Sequence, residues 1–159
     1  MQYWRCLSGA RAAEPRQLVG DLDLELPIDL HVGADSKSRG DHTLFVTVLA
    51  LVTPGEGGRV IYRTSREKRM ESLAQRLFHE AQLAIELATD LTEVTPRPIV
   101  VHIDANPDER HRSSRFARSL AGMGIGQGFE VRLKPDAWAA SCVADHVVKG
   151  RHTRDARAA

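Results

Sequence analysis

The sequence predicts an α/β fold in which a mixed five-stranded sheet, in the order 3-2-1-4-5, is flanked by helices. Two observations predict it: three β-like segments follow one another through short turns, and β-like segments then alternate with helical ones. Strands joined by tight turns pair antiparallel, whereas strands joined through a helix are parallel with a right-handed crossover. The first and fourth predicted strands are therefore expected to be parallel neighbours.

The first three predicted strands form the antiparallel part of the sheet. Residues 28–35 alternate between apolar and polar side chains, which is typical of a strand with one buried face. A polar turn is expected at Ser36–Asp41, before the apolar segment Thr43–Val52. The sequence TPGEGG then predicts a hairpin that leads into a third strand, RVIYRT.

Helices and strands alternate in the second half of the chain. Met70–Leu91 contains no Gly or Pro and predicts a long helix, and the stretch Ile99–Pro107 contains the fourth strand. Arg112–Gly122 predicts a second helix, which the Gly-rich MGIGQG ends before the fifth strand, FEVRLK. Ala137–Val148 predicts a short last helix with Asp136 as its cap.

Composition favours a single intracellular domain. The 159 residues are 42% hydrophobic, and 22 Lys and Arg balance 21 Asp and Glu, which excludes a globally basic nucleic-acid-binding protein. Cys6 and Cys142 suit a reducing compartment, and we expect a cytoplasmic protein with no membrane partner because no signal peptide or membrane-spanning run is visible. Residues 1–25 are expected to form an N-terminal arm or helix, 26–149 the domain, and 150–159 a disordered basic tail.

Two aspartates are expected at the same edge of the sheet. If the first and fourth strands are parallel neighbours, their carboxyl ends lie about 4.8 Å apart, which brings Asp35 next to Asp104. Two carboxylates at this distance repel each other unless a proton or a cation lies between them. An aspartate that follows a strand is also a common turn or cap residue, and this is the alternative role of Asp104.

Glu80 is a third candidate because it interrupts an apolar helix face. At 100° per residue it falls in the middle of a stripe made by Leu73, Leu77, Ala84, Leu87 and Leu91. A buried carboxylate must be neutralised, paired or bound to a metal ion. The alternative is a salt bridge to an Arg or His in the interface between sheet and helix.

The fourth candidate acid is Asp136, for which helix capping is the alternative role, and Asp145 is the fallback. Three or four acids at one sheet edge are the usual means of holding two divalent ions around a phosphodiester. Ligand sets made only of oxygen favour Mg²⁺ or Mn²⁺ over zinc. We therefore expect Mg²⁺ or Mn²⁺ as the cofactor.

Four short motifs resemble one protein family over roughly residues 28–149. They are Gly33–Ser36, His79–Glu80, His102–Asp104 and, most specifically, Lys134–Ser141. Together they resemble the ribonuclease H-like YkuK family of bacteria. The resemblance implies a ribonuclease H-like fold whose two-metal site is formed by Asp35, Glu80, Asp104 and Asp136.

Several further side chains are candidates for substrate contact. Lys134 is the best single candidate for a phosphate contact. The second helix region adds four arginines, for which a solvated face balanced by acids is an equal alternative: Arg110, Arg112, Arg115 and Arg118. His102 is expected to be a packed sheet histidine, with a proton-transfer role as the alternative.

The sequence thus predicts a metal-dependent nuclease that hydrolyses phosphodiesters of RNA, DNA or a hybrid, with water as the nucleophile. Asp35 is expected to bridge both ions, Asp104 and Glu80 to hold one, and Asp136 to hold the other. Two alternatives stay open: a non-catalytic module of the same fold that binds nucleic acid or protein, and a nucleotide phosphohydrolase.

Overall fold

The computed structural model describes residues 2–143 and residue 147. The strands are β1 (Arg5–Cys6), β2 (Asp29–Arg39), β3 (His42–Thr53), β4 (Gly57–Lys68), β5 (Ile99–His102) and β6 (Glu130–Arg132). The helices are α1 (Pro15–Gly20), α2 (Leu73–Thr92) and α3 (Ser114–Ile125), and a π-helical turn spans Ala139–Val143.

The six strands of the described residues belong to one mixed sheet in the order β1-β4-β3-β2-β5-β6. The predicted order is confirmed in the run β4-β3-β2-β5-β6, and the two-residue β1 is added outside β4. β2 pairs antiparallel with β3 and parallel with β5, where Gly33 lies opposite His102. The predicted parallel pairing of the first and fourth strands is therefore correct.

The core lies between the sheet and α2. Ser72 caps this helix, since its side chain accepts a hydrogen bond from the backbone N–H of Gln75. The apolar stripe of α2 packs against Leu30 and Val32 of β2 and against Val101 of β5, all fully buried. Each such side chain contributes about 1.5–3 kcal/mol by leaving water.

The predicted turn at Ser36–Asp41 is wrong. β2 continues to Arg39, and the chain turns only at Gly40 and Asp41, where Gly40 has φ of +55°. Residues 36–39 are polar yet pair with β3 along their whole length. An antiparallel strand with a solvated face tolerates polar residues, so polarity did not mark the end of this strand.

The bounds of the later elements also differ from prediction. α3 begins at Ser114 and runs through part of the Gly-rich segment to Ile125. Gly124 is needed there, because a Cβ on it would lie 2.6 Å from Cγ2 of Val131 in β6. Of the predicted last helix, the described residues show the π-helical turn and a helical residue at Val147. Asp136 precedes the π-helical turn by three residues instead of capping it.

The first residues of the chain pack onto the domain. Trp4 is 2% exposed and belongs to the core, and β1 pairs with β4. On α1, Arg16 forms ion pairs with Asp90 and Glu93 at the end of α2, at 2.8 and 2.7 Å. The predicted basic tail at 150–159 and Asp145 lie outside the described residues. Within the described part of the chain, no helix has the length and apolarity needed to cross a membrane.

Candidate metal and nucleic-acid site

A cavity of about 480 Å³ opens beyond the end of β5, and we call it the acidic cavity. Three of the four predicted acids line it: Asp35, Glu80 and Asp104. Its lining includes cationic side chains, namely Arg76, Arg112 and Arg110, the last of which forms an ion pair with Asp108. The structure therefore brings three carboxylates and several arginines into one cavity.

The two aspartates reach the cavity because β5 is short. β5 ends at His102, opposite Gly33, so the flank of β2 beyond Gly33 has no described neighbouring strand on that side. Asp35 lies two residues beyond Gly33, and Asp104 lies two residues beyond His102. The equal offsets along parallel strands place both acids at the same height, as the sequence predicts.

Glu80 reaches the same cavity from α2. It is only 6% exposed, and the Ser36 hydroxyl donates a hydrogen bond of 2.5 Å to its Oε1. Burial, followed by the nearby charges of Asp35 and Asp104, raises the pKa of Glu80 well above its ordinary value, although the Ser36 bond opposes this. The predicted anomaly on the apolar stripe is thus a buried acid without a salt bridge of its own among the described residues.

Lys134 supplies the cation nearest to the aspartate at the end of β5. Its Nζ lies 2.5 Å from Oδ1 of Asp104, whose side chain is 16% exposed. Apart from this ion pair, the buried Oδ1 makes no hydrogen bond of regular geometry in the described structure. Although burial opposes it, the pairing with Asp104 raises the pKa of Lys134, so the lysine is charged at neutral pH.

The donor set suits a divalent cation in part. Among the described residues, no three His, Cys, Asp or Glu side chains are arranged to hold one ion. Mg²⁺, however, is usually bound by one or two carboxylates together with water and substrate phosphates. The buried Glu80 carboxyl and the poorly bonded Oδ1 of Asp104 are oxygen donors of the type that Mg²⁺ and Mn²⁺ prefer.

The remaining predicted residues lie in different places. Asp136 is exposed in the turn after Lys134 and does not line the acidic cavity; its backbone N–H donates to the carbonyl of Leu133. Arg112 lines the cavity. Arg115 is exposed on α3 and does not, and its guanidinium lies 5.5 Å from the centre of the Phe116 ring.

Two residues of the cavity were not predicted to act there. Arg76 lines the cavity and opposes the rise in the pKa of Glu80. Its spacing of four residues from Glu80 on one helix is the signal that could have identified it. Ser36 was predicted to begin a turn, whereas here it lies in β2 and is a hydrogen-bond donor to Glu80.

A second polar cluster lies where β2 and β5 pair, and we call it the histidine pair. Nδ1 of His31 and Nε2 of His102 are 2.9 Å apart, and both rings are buried. The backbone N–H of Trp138 donates to Nδ1 of His102 at 3.0 Å, so the proton of His102 must be on Nε2 and point to His31. Burial lowers the pKa of His31 and lowers that of His102 to about 3, so both are neutral. His102 is therefore a packed and fully bonded sheet histidine.

Comparison with known proteins assigns the family. A sequence profile described as Ribonuclease H-like matches residues 21–149. Among solved structures, RNase H1 from the halophilic archaeon Halobacterium salinarum NRC-1 is 21% identical, with a TM-score of 0.44, over 76% of this chain and 98% of that one. The prototype foamy virus protease-reverse transcriptase is 7% identical, with a TM-score of 0.37, over 79% of this chain and 19% of that one. No curated protein matches the chain. Both TM-scores are below 0.5, so the assignment rests on the profile, which covers most of the sequence: the chain belongs to the ribonuclease H-like family.

Proposed function

We propose that this protein is a divalent-metal-dependent nuclease that hydrolyses phosphodiester bonds of nucleic acid, with water as the nucleophile. The observation that carries the proposal is the meeting of three carboxylates in one open cavity, one of them buried without a salt bridge of its own among the described residues. Burying such a group is costly unless a proton or a cation compensates it. Because the three acids share this cavity with Arg76 and Arg112, the cavity is suited to bind a cation and a phosphate together.

The proposed ligands of Mg²⁺ or Mn²⁺ are Asp35, Glu80 and Asp104, with Asp136 as a fourth acid. When bound, such ions stabilise negative charge on phosphoryl oxygens and make water a stronger acid. Asp35 is proposed to be shared between two ions, and Asp104 and Glu80 to hold one of them. Asp136 is proposed to serve the other from its exposed turn, where no described contact restrains its carboxylate.

Cationic side chains are proposed to hold the substrate. Arg112 and Arg76 line the cavity and are placed to bind phosphate oxygens beside the acids. Lys134 is paired with Asp104, so a phosphate contact by this lysine requires that ion pair to open. Arg115 stands outside the cavity and is proposed to contact the substrate further along its backbone.

One observation favours a second candidate, a non-catalytic module that binds nucleic acid or protein. Lys134 already neutralises Asp104, and no described group of three acids is arranged around one ion. If the lysine replaces the metal permanently, the fold retains its acids without cleaving anything. The two candidates differ in whether a divalent ion enters the cavity.

The experiment is a cleavage assay of the full chain against labelled single-stranded, duplex and hybrid substrates in Mg²⁺ or Mn²⁺. We expect Asp35→Asn and Asp104→Asn each to reduce the rate by at least about 100-fold, since several kcal/mol of charge stabilisation are lost. Asp90→Asn, a surface acid paired with Arg16 outside the cavity, is the control and should cleave like the wild type. Cleavage that persists undiminished in both cavity variants would overturn the nuclease proposal.

A further inference from the structure

The three longest strands extend well past the end of β5. Residues 36–39 of β2, 42–45 of β3 and 65–68 of β4 continue to pair with one another, and we call this extension the basic arm. Its register is continuous: Lys37 lies opposite Leu44, which lies opposite Arg66. It begins directly after Asp35, so it is an outgrowth of the strand that carries the first acid.

Alternation along the strands gathers positive charge on one face of the basic arm. One row across the three strands is Lys37, Leu44 and Arg66, and the next is Arg39, His42 and Lys68. Side chains two residues apart share a face of a strand, so both rows lie on the same side, as does Asp35. The two rows are about 7 Å apart and adjacent strands about 4.8 Å apart, which makes a compact cationic surface.

These cations are only partly neutralised. The side chains of Lys37, Arg39, Arg66 and Lys68 are exposed. Asp41 at the tip lies 3.0 Å from His42 and 3.5 Å from Arg66. Lys37 and Lys68 form no ion pair with any residue that the structure describes. In a chain of net charge +1, this local excess is a patch and not a reflection of overall composition.

We propose that the basic arm binds the phosphodiester backbone of nucleic acid, independently of base sequence, and guides it to the acidic cavity. This inference rests on the proposed nuclease function. The phosphates of a nucleic acid are repelled by the three carboxylates of the acidic cavity, and the positive charge of the basic arm offsets that repulsion. The cationic face carries no Phe, Tyr or Trp side chain for base stacking, and its apolar residue, Leu44, is half-buried. Such a face contacts phosphates without reading bases, and it lacks the apolar side chains that insert into a membrane.

The test is binding of the full chain to a fluorescently labelled duplex in chelator, measured by anisotropy over a range of KCl concentrations. The variant is Lys37→Gln combined with Lys68→Gln. Its matched control is Arg11→Gln combined with Arg59→Gln, which removes the same charge from exposed positions outside the arm. A plot of the logarithm of the binding constant against the logarithm of the salt concentration has a negative slope, and each phosphate contact contributes about 0.9 to its magnitude. The arm variant should therefore reduce this magnitude by about 1.8, while the control leaves it unchanged.

Each outcome decides the proposal. A slope equal to that of the wild type in the arm variant, an equal loss in the control, or no duplex binding by the wild type overturns it. So does wild-type binding to anionic vesicles or polyglutamate that is as tight and as dependent on the arm, since the partner would then be a different macromolecule. The binding assay contains no divalent metal, so its result does not depend on cleavage. Arm-dependent binding here, together with no cleavage by the wild type in the separate Mg²⁺ or Mn²⁺ assay, would refute the nuclease function and leave the arm as a nucleic-acid interface.

Discussion

The acidic cavity and the histidine pair both lie where β2 meets β5, yet they differ in whether their buried polar atoms have a full set of hydrogen-bond partners. In the histidine pair each ring nitrogen at the contact has a partner, and the chain from Trp138 through His102 to His31 is complete. In the acidic cavity, Glu80 has a single hydroxyl partner and Oδ1 of Asp104 has an ammonium without a regular hydrogen bond. The hydrogen bonds within the histidine pair are therefore complete without a ligand, whereas those of the buried oxygens in the acidic cavity are incomplete.

This difference indicates a structural role for the histidine pair and a binding role for the acidic cavity. Burial of a polar group costs little when hydrogen bonds are satisfied and several kcal/mol when they are not. A complete cluster such as the histidine pair is explained by packing, because it fastens the turn at Trp138 to the sheet. The incomplete acidic cavity has no such explanation, and a bound cation would provide one. The two clusters should therefore respond oppositely to mutation.

The largest effect is expected from His102→Ala. The change removes a buried ring and leaves the Trp138 N–H and Nδ1 of His31 without partners, which should lower the free energy of unfolding by about 3 kcal/mol. Urea denaturation followed by circular dichroism measures it, with the exposed His111→Ala as the control, expected within about 0.5 kcal/mol of the wild type. A loss below about 1 kcal/mol would mean that the pair does not hold the fold.

Glu80→Gln should instead stabilise the protein at neutral pH, by at least about 1 kcal/mol. The pKa of Glu80 is raised on folding, so the folded state binds more protons than the unfolded one and loses stability as pH rises above the ordinary value of 4.5. Glutamine removes this loss and can still accept the Ser36 hydrogen bond. The gain should disappear below pH 4.5, where both states are protonated.

Urea denaturation of both proteins at pH 4 and pH 7.5 tests this, with Glu86→Gln as the matched control on the exposed side of α2. The histidine pair has the opposite sign: its pKa values are lowered on folding, so wild-type stability should fall as pH drops below 6.5. Destabilisation by Glu80→Gln at neutral pH in chelator would contradict the interpretation that the buried Glu80 carboxyl lacks a compensating cation.

Lys134→Met is expected to have the smallest effect and to sharpen the comparison. The ammonium competes with a metal ion for Asp104, and its removal should tighten Mn²⁺ binding by about 5-fold, a modest factor because the Lys134 side chain is 39% exposed and screened by water. Calorimetric titration measures the change. If Lys134→Met weakens Mn²⁺ binding, the lysine supports the site instead of competing for it.

The sequence predicts the centre of the sheet well and its margins poorly. The order of the five main strands and the meeting of Asp35 with Asp104 follow from turn lengths and crossover rules, which depend on local pattern. Glu80 is visible because a charge on an apolar stripe is an exception to a strong periodicity. These features need no knowledge of distant contacts.

The features that were missed depend on contacts between distant segments. β1 has two residues, too few for any periodicity, and forms because β4 offers a partner. The β2 and β4 parts of the basic arm, residues 36–39 and 65–68, are polar, so they are recognisable as strands only from their pairing. The ion pair of Lys134 with Asp104 depends on how the turn after β6 is held, where the Lys134 N–H donates to the carbonyl of Ala105 at 3.0 Å.

Calorimetric titration of the full chain with Mn²⁺ tests the central claim most directly, namely that the acidic cavity binds a divalent cation. We predict saturable binding at or below millimolar Mn²⁺ by the wild type and by the surface control Asp90→Asn, and its loss in Asp104→Asn. Absence of binding by the wild type at millimolar Mn²⁺, or unchanged binding by Asp104→Asn, would contradict the account.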